Sequence, residues 1–368
     1  MLADRTWRRV VLDEAQTVKN SASRQAGAVR RIPAEHRIAL TGTPVENRLA
    51  ELWAVMDFVN PGLLGSMESF RTRFAIPVER YGKTEPAQTL RAITRPYLLR
   101  RVKTDPNVID DLPDKIEFKQ YCALTVEQVS LYQAVVDEMM VKIEESEGIT
   151  RRGNVLAAMA KLKQICNHPA QFLHDRTQLG ARSGKVTRLL EILAEIHQAG
   201  EKVLCFTQYT EFAGMLQPLL TDTFGREVLY LHGGTPKKRR DEMVARFQAA
   251  DDQAGGAAGP AIFLLSLRAG GTGLNLTAAN HVIHLDRWWN PAVENQATDR
   301  AFRIGQLRTV EVHKLICTGT LEERIDGMIE TKKALADSVV GDGEGWLTEL
   351  STSQLREVFA LTAQAPDE

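Results

Sequence analysis

Ala261-Ile262-Phe263-Leu264-Leu265-Ser266-Leu267-Arg268-Ala269-Gly270-Gly271-Thr272-Gly273 opens a stretch that continues to Gln306 and decides how the chain is read. Ile262 to Leu265 is a short apolar run. It gives way to a turn holding three glycines in four residues, where backbone N–H groups can come close to a phosphate. A second run, His281 to Leu285, ends in Asp286-Arg287-Trp288-Trp289. Asn290 suits an N-cap and Pro291 the first helical position, so the pattern predicts a helix from Pro291 to about Ile304, with Gly305 just past its end. On such a helix Gln296, Arg300 and Arg303 stand at i, i+4 and i+7, on one face.

Two arginines and a glutamine beside a glycine turn suit transferred phosphate, because a guanidinium stays charged and forks onto phosphate oxygens. A solvated helix face would carry the same three residues. The wording decides between them. Leu267-Arg268-Ala269-Gly270-Gly271-Thr272-Gly273-Leu274-Asn275-Leu276, Asp286-Arg287-Trp288-Trp289-Asn290-Pro291 and Gln296-Ala297-Thr298-Asp299-Arg300-Ala301-Phe302-Arg303-Ile304-Gly305-Gln306 resemble the last two helicase motifs of the Swi/Snf family of DNA-translocating ATPases, in helicase superfamily two.

Near the start, Val10, Val11 and Leu12 end in Asp13-Glu14-Ala15-Gln16. Buried parallel strands look like this, and α/β proteins place ligands at their carboxyl ends. Adjacent acids there suit magnesium chemistry, one carboxylate holding a hydrated metal and the other orienting or deprotonating water. An isolated Asp-Glu pair is more often a surface turn. The four residues resemble the family's second motif, which makes Asp13 the magnesium-side residue, Glu14 the catalytic base and Gln16 a nucleotide contact. A strand from Arg37 to Leu40 ends in Thr41-Gly42-Thr43-Pro44. This tract, continuing through Trp53 and on to Gly65, resembles the third motif and its trailing helix, with Leu49, Leu52, Trp53 and Met56 as a core face.

The resemblance further implies that Arg300 and Arg303 are arginine fingers, and that Gly271, Gly273 and Gln296 help bind nucleotide. It implies DNA contacts at Thr41, Thr43, Thr272, Asn275 and Trp289. ATP and magnesium are the cofactors it brings, double-stranded DNA the track, and a protein bound to that DNA a substrate for remodelling.

Composition bounds the rest. The 368 residues suffice for two or three domains, and 43% hydrophobic with 25% charged residues is ordinary for a globular protein. A formal charge of -1 neither requires nor excludes nucleic acid, which needs only a local basic patch. No run is long and apolar enough for a membrane span and no signal peptide is evident, so an intracellular location is expected. Cys122, Cys166, Cys205 and Cys317 are far apart in apolar surroundings and read as reduced core residues.

From about Ser66 to Phe172 the pattern is helical without convincing strands. Thr125-Val126-Glu127-Gln128 predicts a capping box, Glu144 to Gly153 a loop, and Asn154 a cap for a second helix. Leu98 to Lys103, Leu112 to Lys115 and Leu162 to Pro169 resemble signatures of the family's helical insertion, with His168 read as structural. Ser183-Gly184-Lys185 fails as a Walker loop on spacing and on Val186, and in the family this triplet opens the second lobe. Short strands at Val203 to Phe206, Val228 to Leu231 and Val310 to Ile316 complete a rhythm of helix and strand that implies a mostly parallel sheet. Thr235 is expected to cap a basic helix opened by Pro236.

The fold expected is α/β, with RecA-like parallel-sheet lobes. Residues 1–65 would be the C-terminal half of a first ATPase lobe, 66–175 a helical insertion, 176–335 a complete second lobe, and 336–368 a brace helix and tail. Nothing before Asp13 resembles a Gly-Lys-Thr phosphate loop, so the reading is part of a motor whose missing N-terminal half acts in cis, and a chain that alone hydrolyses ATP poorly. The rivals are a DNA-binding or regulatory module that keeps the second lobe without catalysis, and a metal-dependent phosphoesterase built on Asp13 and Glu14. The phosphoesterase is disfavoured because no further acids or histidines stand nearby.

Overall fold

The first strand, β1 (Trp7–Leu12), pairs in parallel with β2 (Ala34–Ala39), Val11 opposite Ile38. This computed structural model describes the chain except for 1, 19–22, 42–48, 100–111, 176, 178, 250–258, 268–272, 289, 337–347, 349 and 363–368, and except for the side chains of 16, 17, 80 and 331–336. The chain divides into two compact units, Met1–Val102 with Glu330–Gly343, and Lys103–Ile329 with Glu344–Glu368.

In the first unit, Ser23 caps α1 (Arg24–Arg30), which connects the two strands. Helix α2 (Leu49–Val59) buries Leu49, Leu52, Trp53 and Met56, the face its 3.6-residue spacing predicts. These residues pack with Phe70 of α3 (Met67–Phe70), with Phe74 and Val78 of a π-helical turn at Arg71–Arg80, and with Leu90 of α4 (Thr84–Thr94). The Arg37 side chain donates to the carbonyls of Phe58 and Ile32, tying β2 to the end of α2. Val11, Ile38 and Leu40 stay exposed, so one face of this two-stranded sheet is uncovered.

The second unit is built on six parallel strands: β3 (Lys115–Cys122), β4 (Val203–Thr207), β5 (Val228–Leu231), β6 (Ile262–Ser266), β7 (His281–His284) and β8 (Val310–Cys317), in the order β3-β8-β7-β4-β6-β5. Side chains alternate between the faces, as a strand's period of two demands. Val203, Cys205, Ile262, Leu264, Ile283, Leu315 and Cys317 point into one core. Leu204, Phe206, Phe263, Leu265, Val282, Val310 and Val312 point into the other. Sheets buried on both faces need such continuous apolar strands.

Helices α5 (Val126–Glu144), α6 (Gly148–Asn167), α7 (Pro169–Leu173), α8 (Gly184–Gln198) and α9 (Thr210–Phe224) cover the first core, joined by α12 (Leu321–Ala336) and α13 (Thr352–Phe359). The second is covered by α10 (Lys237–Gln248) and α11 (Pro291–Thr298). The capping box at Thr125 and Gln128 forms as the sequence predicts.

Four local expectations are corrected. Lys115–Cys122, inside the stretch read as helical, is strand β3 of the main sheet, paired along its whole length with β8. Its alternating charged residues hide the pattern, because they sit on an edge strand with few neighbours to bury them. Helix α6 begins at Gly148, within the expected loop, and Asn154 lies inside it, donating to Lys142 O and Ser146 Oγ. Thr235 does not cap α10; its hydroxyl accepts from His232 N–H instead, and Pro236 occupies the cap position. The arginine-bearing helix ends at Thr298 instead of Ile304.

Candidate functional site

The residues singled out from the sequence fall in two groups, one in each unit. In the first, Asp13 and Glu14 follow the carboxyl end of β1, where Leu40 N–H donates to Leu12 O and Ala15 N–H to Leu40 O. These bonds hold the acidic turn against the end of β2 and beside Thr41, which is half-buried. Asp13 is exposed, and its Oδ1 accepts Glu14 N–H at 2.9 Å. Glu14 has φ 49, a left-handed backbone that costs a residue with a Cβ about 1–3 kcal/mol. An exposed strand-end carboxylate, one oxygen already oriented by a backbone N–H, fits the sparse protein ligation of a hydrated magnesium. Gln16 lies on the short helical turn Ala15–Val18. Thr43 is outside the described residues, as is the side chain of Gln16.

In the second unit, β6 leads towards the glycine turn. Gly271 and Thr272 lie outside the described residues, as does Trp289. Gly273 follows with φ 51, a conformation that favours glycine, and Asn275 is exposed. Asn290 caps α11 through Ala292 N–H, with Pro291 first in the helix, as its sequence implies.

The expected ladder of Gln296, Arg300 and Arg303 on one helical face is not formed. After Thr298 the backbone tightens into i→i+3 bonds, Arg300 N–H to Ala297 O and Ala301 N–H to Thr298 O, while Leu276 N–H takes the carbonyl of Arg300. That cross-link ties the turn beyond the helix to the segment after the glycines. Gln296 therefore sits half-buried on α11, and Arg300 is buried beyond its end. Arg303 is exposed and turns back, its Nη1 3.4 Å from the carbonyls of Gly273 and Leu274. The turned chain thus brings Arg303 to the glycine segment by a route the helical reading did not foresee.

Gln306 is what secures this arrangement. It is buried, its amide donates to Thr277 O and Ala279 O, and its oxygen accepts from Leu307 and Arg308 N–H. Sequence reasoning quoted Gln306 without giving it a role. The two carbonyls its amide nitrogen reaches lie 29 and 27 residues away in sequence, so only the fold exposes that connection.

Two buried charge networks, also missed, stand behind the site. Asp286 follows β7, fully buried, and accepts from the Thr207 hydroxyl, Gln208 N–H (3.1 Å) and Gln208 Nε2 (2.8 Å). Burial pushes its carboxyl above the usual range, against the opposing hydrogen bond from Thr207. Arg287 is equally buried, bonded to Glu294 at 3.0 Å and to Asp326, while Lys163 donates to its carbonyl at 2.8 Å. Glu294 also accepts Trp288 N–H, so one carboxylate on α11 orients the Arg-Trp segment leading into that helix. The cue was an acid and an arginine directly after a buried strand, which the composition of Asp286-Arg287 does offer.

One phosphate-loop ending does occur, Gly82-Lys83-Thr84. It follows the π-helical turn instead of a strand, and Pro77 holds the position of the loop's first glycine. His168 is structural: buried, it accepts Ala170 N–H at Nδ1 and faces Leu179 O at 2.7 Å from Nε2. All four cysteines are free and buried. Among the described residues no helix is long and apolar enough to cross a membrane.

Comparison with known proteins bears on these features. Residues 1–171 match the SNF2-related domain and 184–305 the helicase conserved C-terminal domain. The chain is 47% identical over 99% of its length to YwqA of Bacillus subtilis, whose name provisionally reads ATP-dependent helicase/translocase. It is 36% identical over 92% of its length to the human SWI/SNF-related matrix-associated actin-dependent regulator of chromatin subfamily A member 1. It spans 39% and 32% of these two relatives. Among solved structures it is 43% identical to the Sulfolobus solfataricus SWI2/SNF2 ATPase core in complex with dsDNA, with TM-score 0.60, covering 98% of this chain and 75% of that one. The C-terminal domain of that ATPase is 41% identical and matched over its full length, with TM-score 0.58 and 68% of this chain covered. The doubly covered parallel sheet, the acids at a strand end and the arginine folded back to Gly273 and Leu274 thus belong to a member of the SWI2/SNF2 family of ATPases, built on RecA-like lobes.

Proposed function

We propose that these residues are part of an ATP-dependent motor that moves along double-stranded DNA and remodels protein–DNA complexes. Asp13 would hold a hydrated magnesium, and Glu14, aimed by its left-handed backbone, would orient and deprotonate water. Arg300 and Arg303 would stabilise charge developing on the γ-phosphate in the same reaction. Gln16, Gly271, Gly273 and Gln296 are proposed nucleotide contacts; Thr41, Thr43, Thr272, Asn275 and Trp289 are proposed DNA contacts. In this scheme 1–65 and 176–335 supply the two lobes, 66–175 the insertion that lends β3 to the second sheet, and 336–368 the brace.

The observation that carries the reading is Arg303 lying across the carbonyls of Gly273 and Leu274. A nucleotide phosphate near Arg303 would exchange its two long hydrogen bonds to Gly273 O and Leu274 O for stronger charge-assisted ones. The Gly-Lys-Thr of this sequence, Gly82-Lys83-Thr84, follows a helical turn and not a strand, which supports poor hydrolysis by this polypeptide alone.

The test is a fusion to the upstream half of the Sulfolobus solfataricus SWI2/SNF2 ATPase core, with ATP turnover measured in the presence of duplex DNA. The fusion should hydrolyse ATP while the chain alone does not. In the fusion, Glu14→Gln should lower kcat by about 10²- to 10⁴-fold and Arg303→Ala by about 10³-fold. Robust turnover by the chain alone, or an Arg303→Ala fusion of normal activity, defeats the assignment. DNA binding by the fusion that ignores nucleotide throughout would favour the non-catalytic module.

A further inference from the structure

We propose that His281, Glu311 and His313 form a site for a divalent late first-row transition ion, zinc being the reference case, at the amino end of β7 and β8. The parallel register sets Glu311 opposite His281, and two residues further along β8 the side chain of His313 returns to the same face. His281 Nε2 and Glu201 Oε2 lie 2.5 Å apart. A carboxylate accepts only, so in the neutral ring it keeps the proton on Nε2 and turns the Nδ1 lone pair inward. Nδ1 is buried without a hydrogen-bond partner, and Glu311 Oε2 stands 3.8 Å away. His313 Nε2 is likewise buried without a partner, 3.8 Å from the same oxygen.

Two unsatisfied imidazole nitrogens therefore converge on one carboxylate oxygen, the three ligand atoms all within 4.8 Å of one another. Zinc bonds to nitrogen and oxygen of about 2.0–2.2 Å would set tetrahedral ligands about 3.3–3.6 Å apart, so each nitrogen–oxygen separation of 3.8 Å must close by a few tenths of an ångström and the nitrogen–nitrogen separation, at most 4.8 Å, by up to about 1.5 Å. Two imidazoles with one carboxylate suit zinc, iron, cobalt or nickel, whereas magnesium and calcium prefer oxygen alone. Both rings are nearly inaccessible but the Glu311 side chain is 39% exposed, which gives an ion its entry and leaves room for a water ligand. Metal-bound histidines commonly donate their other ring N–H to a carboxylate, as His281 does to Glu201.

The surroundings of His313 add a consequence. Gln120 Nε2 lies 3.3 Å from His313 Nδ1, while Gln120 Oε1 accepts from Arg188 at 3.0 and 3.2 Å. For Nε2 to bind a metal the ring proton must sit on Nδ1, so the Gln120 amide must turn and give up Arg188, which keeps its ion pair with Glu191. Metal binding is thus coupled to β3 through Gln120. A glutamate at 120 could accept from both His313 and Arg188 and would favour the metal-bound state. The site lies at the opposite end of the strands from Thr207 and Asp286, and its role is to clamp β7, β8 and the Glu201 turn together.

The whole chain, free of an affinity tag, is titrated with Co²⁺ and Zn²⁺ in separate experiments. Expected are visible cobalt bands of a four- or five-coordinate nitrogen–oxygen site, displaced by Zn²⁺ and unaffected by excess Mg²⁺, and a melting temperature raised by Zn²⁺. His281→Ala and His313→Ala should abolish both signals. Glu201→Gln should weaken cobalt binding about 10- to 100-fold, and Gln120→Glu should tighten it. Should the histidine variants fail to fold, Glu311→Gln at the partly exposed position must remove the Zn²⁺ shift while leaving the metal-free melt unchanged. Absence of cobalt bands, binding undiminished in Glu311→Gln, or a thiolate charge-transfer band pointing to Cys166 and Cys317 would overturn the proposal.

Discussion

The Lys185 ammonium is held by both oxygens of Glu322, at 2.7 and 2.9 Å, and solvent reaches neither side chain. The lysine of a Ser-Gly-Lys triplet that looks superficially like a phosphate loop is thereby committed to the interior, joining the start of α8 to the start of α12. Burial works against the charged amine, but Glu322 more than offsets it and raises the lysine pKa. Asn167 Oδ1 also accepts from Lys185, and Cys317 N–H donates to Glu322, so few of the pair's valences are left open.

Breaking that pair from one side strands a charge. Glu322→Ala should cost about 3–5 kcal/mol in urea unfolding, whereas Lys185→Met combined with Glu322→Leu should recover part of the loss. The double variant is not expected to be neutral, because Cys317 N–H loses its acceptor. Equal destabilisation by the single and double changes would mean that packing, not charge, is what Glu322 supplies.

Gly184 is required by close approach, not by backbone angle. A Cβ built there would lie 1.8 Å from the carbonyl oxygen of Ala123, a backbone atom that cannot swing aside. Gly184→Ala should therefore destabilise the second unit by about 1–3 kcal/mol, the usual cost of overpacking, as measured by thermal melting. A variant as stable as the parent would show that the segment after β3 gives way easily.

Acid should weaken this protein before most carboxylates are protonated. His284 is fully buried, with Nε2 2.9 Å from the Thr298 hydroxyl, and burial lowers its pKa to about 4. The unfolded chain binds this proton first, so stability is complete above about pH 6.5 and falls as pH drops towards 4, by about 3 kcal/mol in all. Glu117 acts in the same direction at lower pH. Burial alone would raise its pKa, but hydrogen bonds from Lys115 and Lys314 bring it down to about 2, so its contribution is present above pH 4.5 and lost below. Denaturation midpoints across pH 4 to 7 check the histidine term, since His284→Gln should flatten that slope.

Residues 1–60 should exchange amide hydrogens faster than β4, β6 and β7. Their sheet has two strands, and Val11, Ile38 and Leu40 are exposed on it, whereas the six-stranded sheet is covered on both faces. The exposed apolar residues also favour association through this surface. Hydrogen exchange together with sedimentation settles the matter: equal protection in a monomer would contradict both expectations.

What the chain says unaided is mostly local. Apolar runs of four or five residues placed β4, β5, β6 and β7 to within a residue at either end, because a strand buried on both faces tolerates little else. The caps at Thr125 and Asn290 are equally local, each a side chain satisfying an N–H two or three residues away. Long motif resemblance carried the family from those same words. Tertiary structure alone decided the rest. Strand β3 exists because β8 offers it eight paired residues, a partner nearly two hundred positions distant. The arginine helix stops at Thr298, and just beyond it the carbonyl of Arg300 is taken by Leu276 N–H from another segment. His281 and His313 face one glutamate only through the register of β7 on β8. Propensity and period are written in neighbouring residues, but hydrogen bonds between distant segments depend on which backbone groups the fold brings within reach.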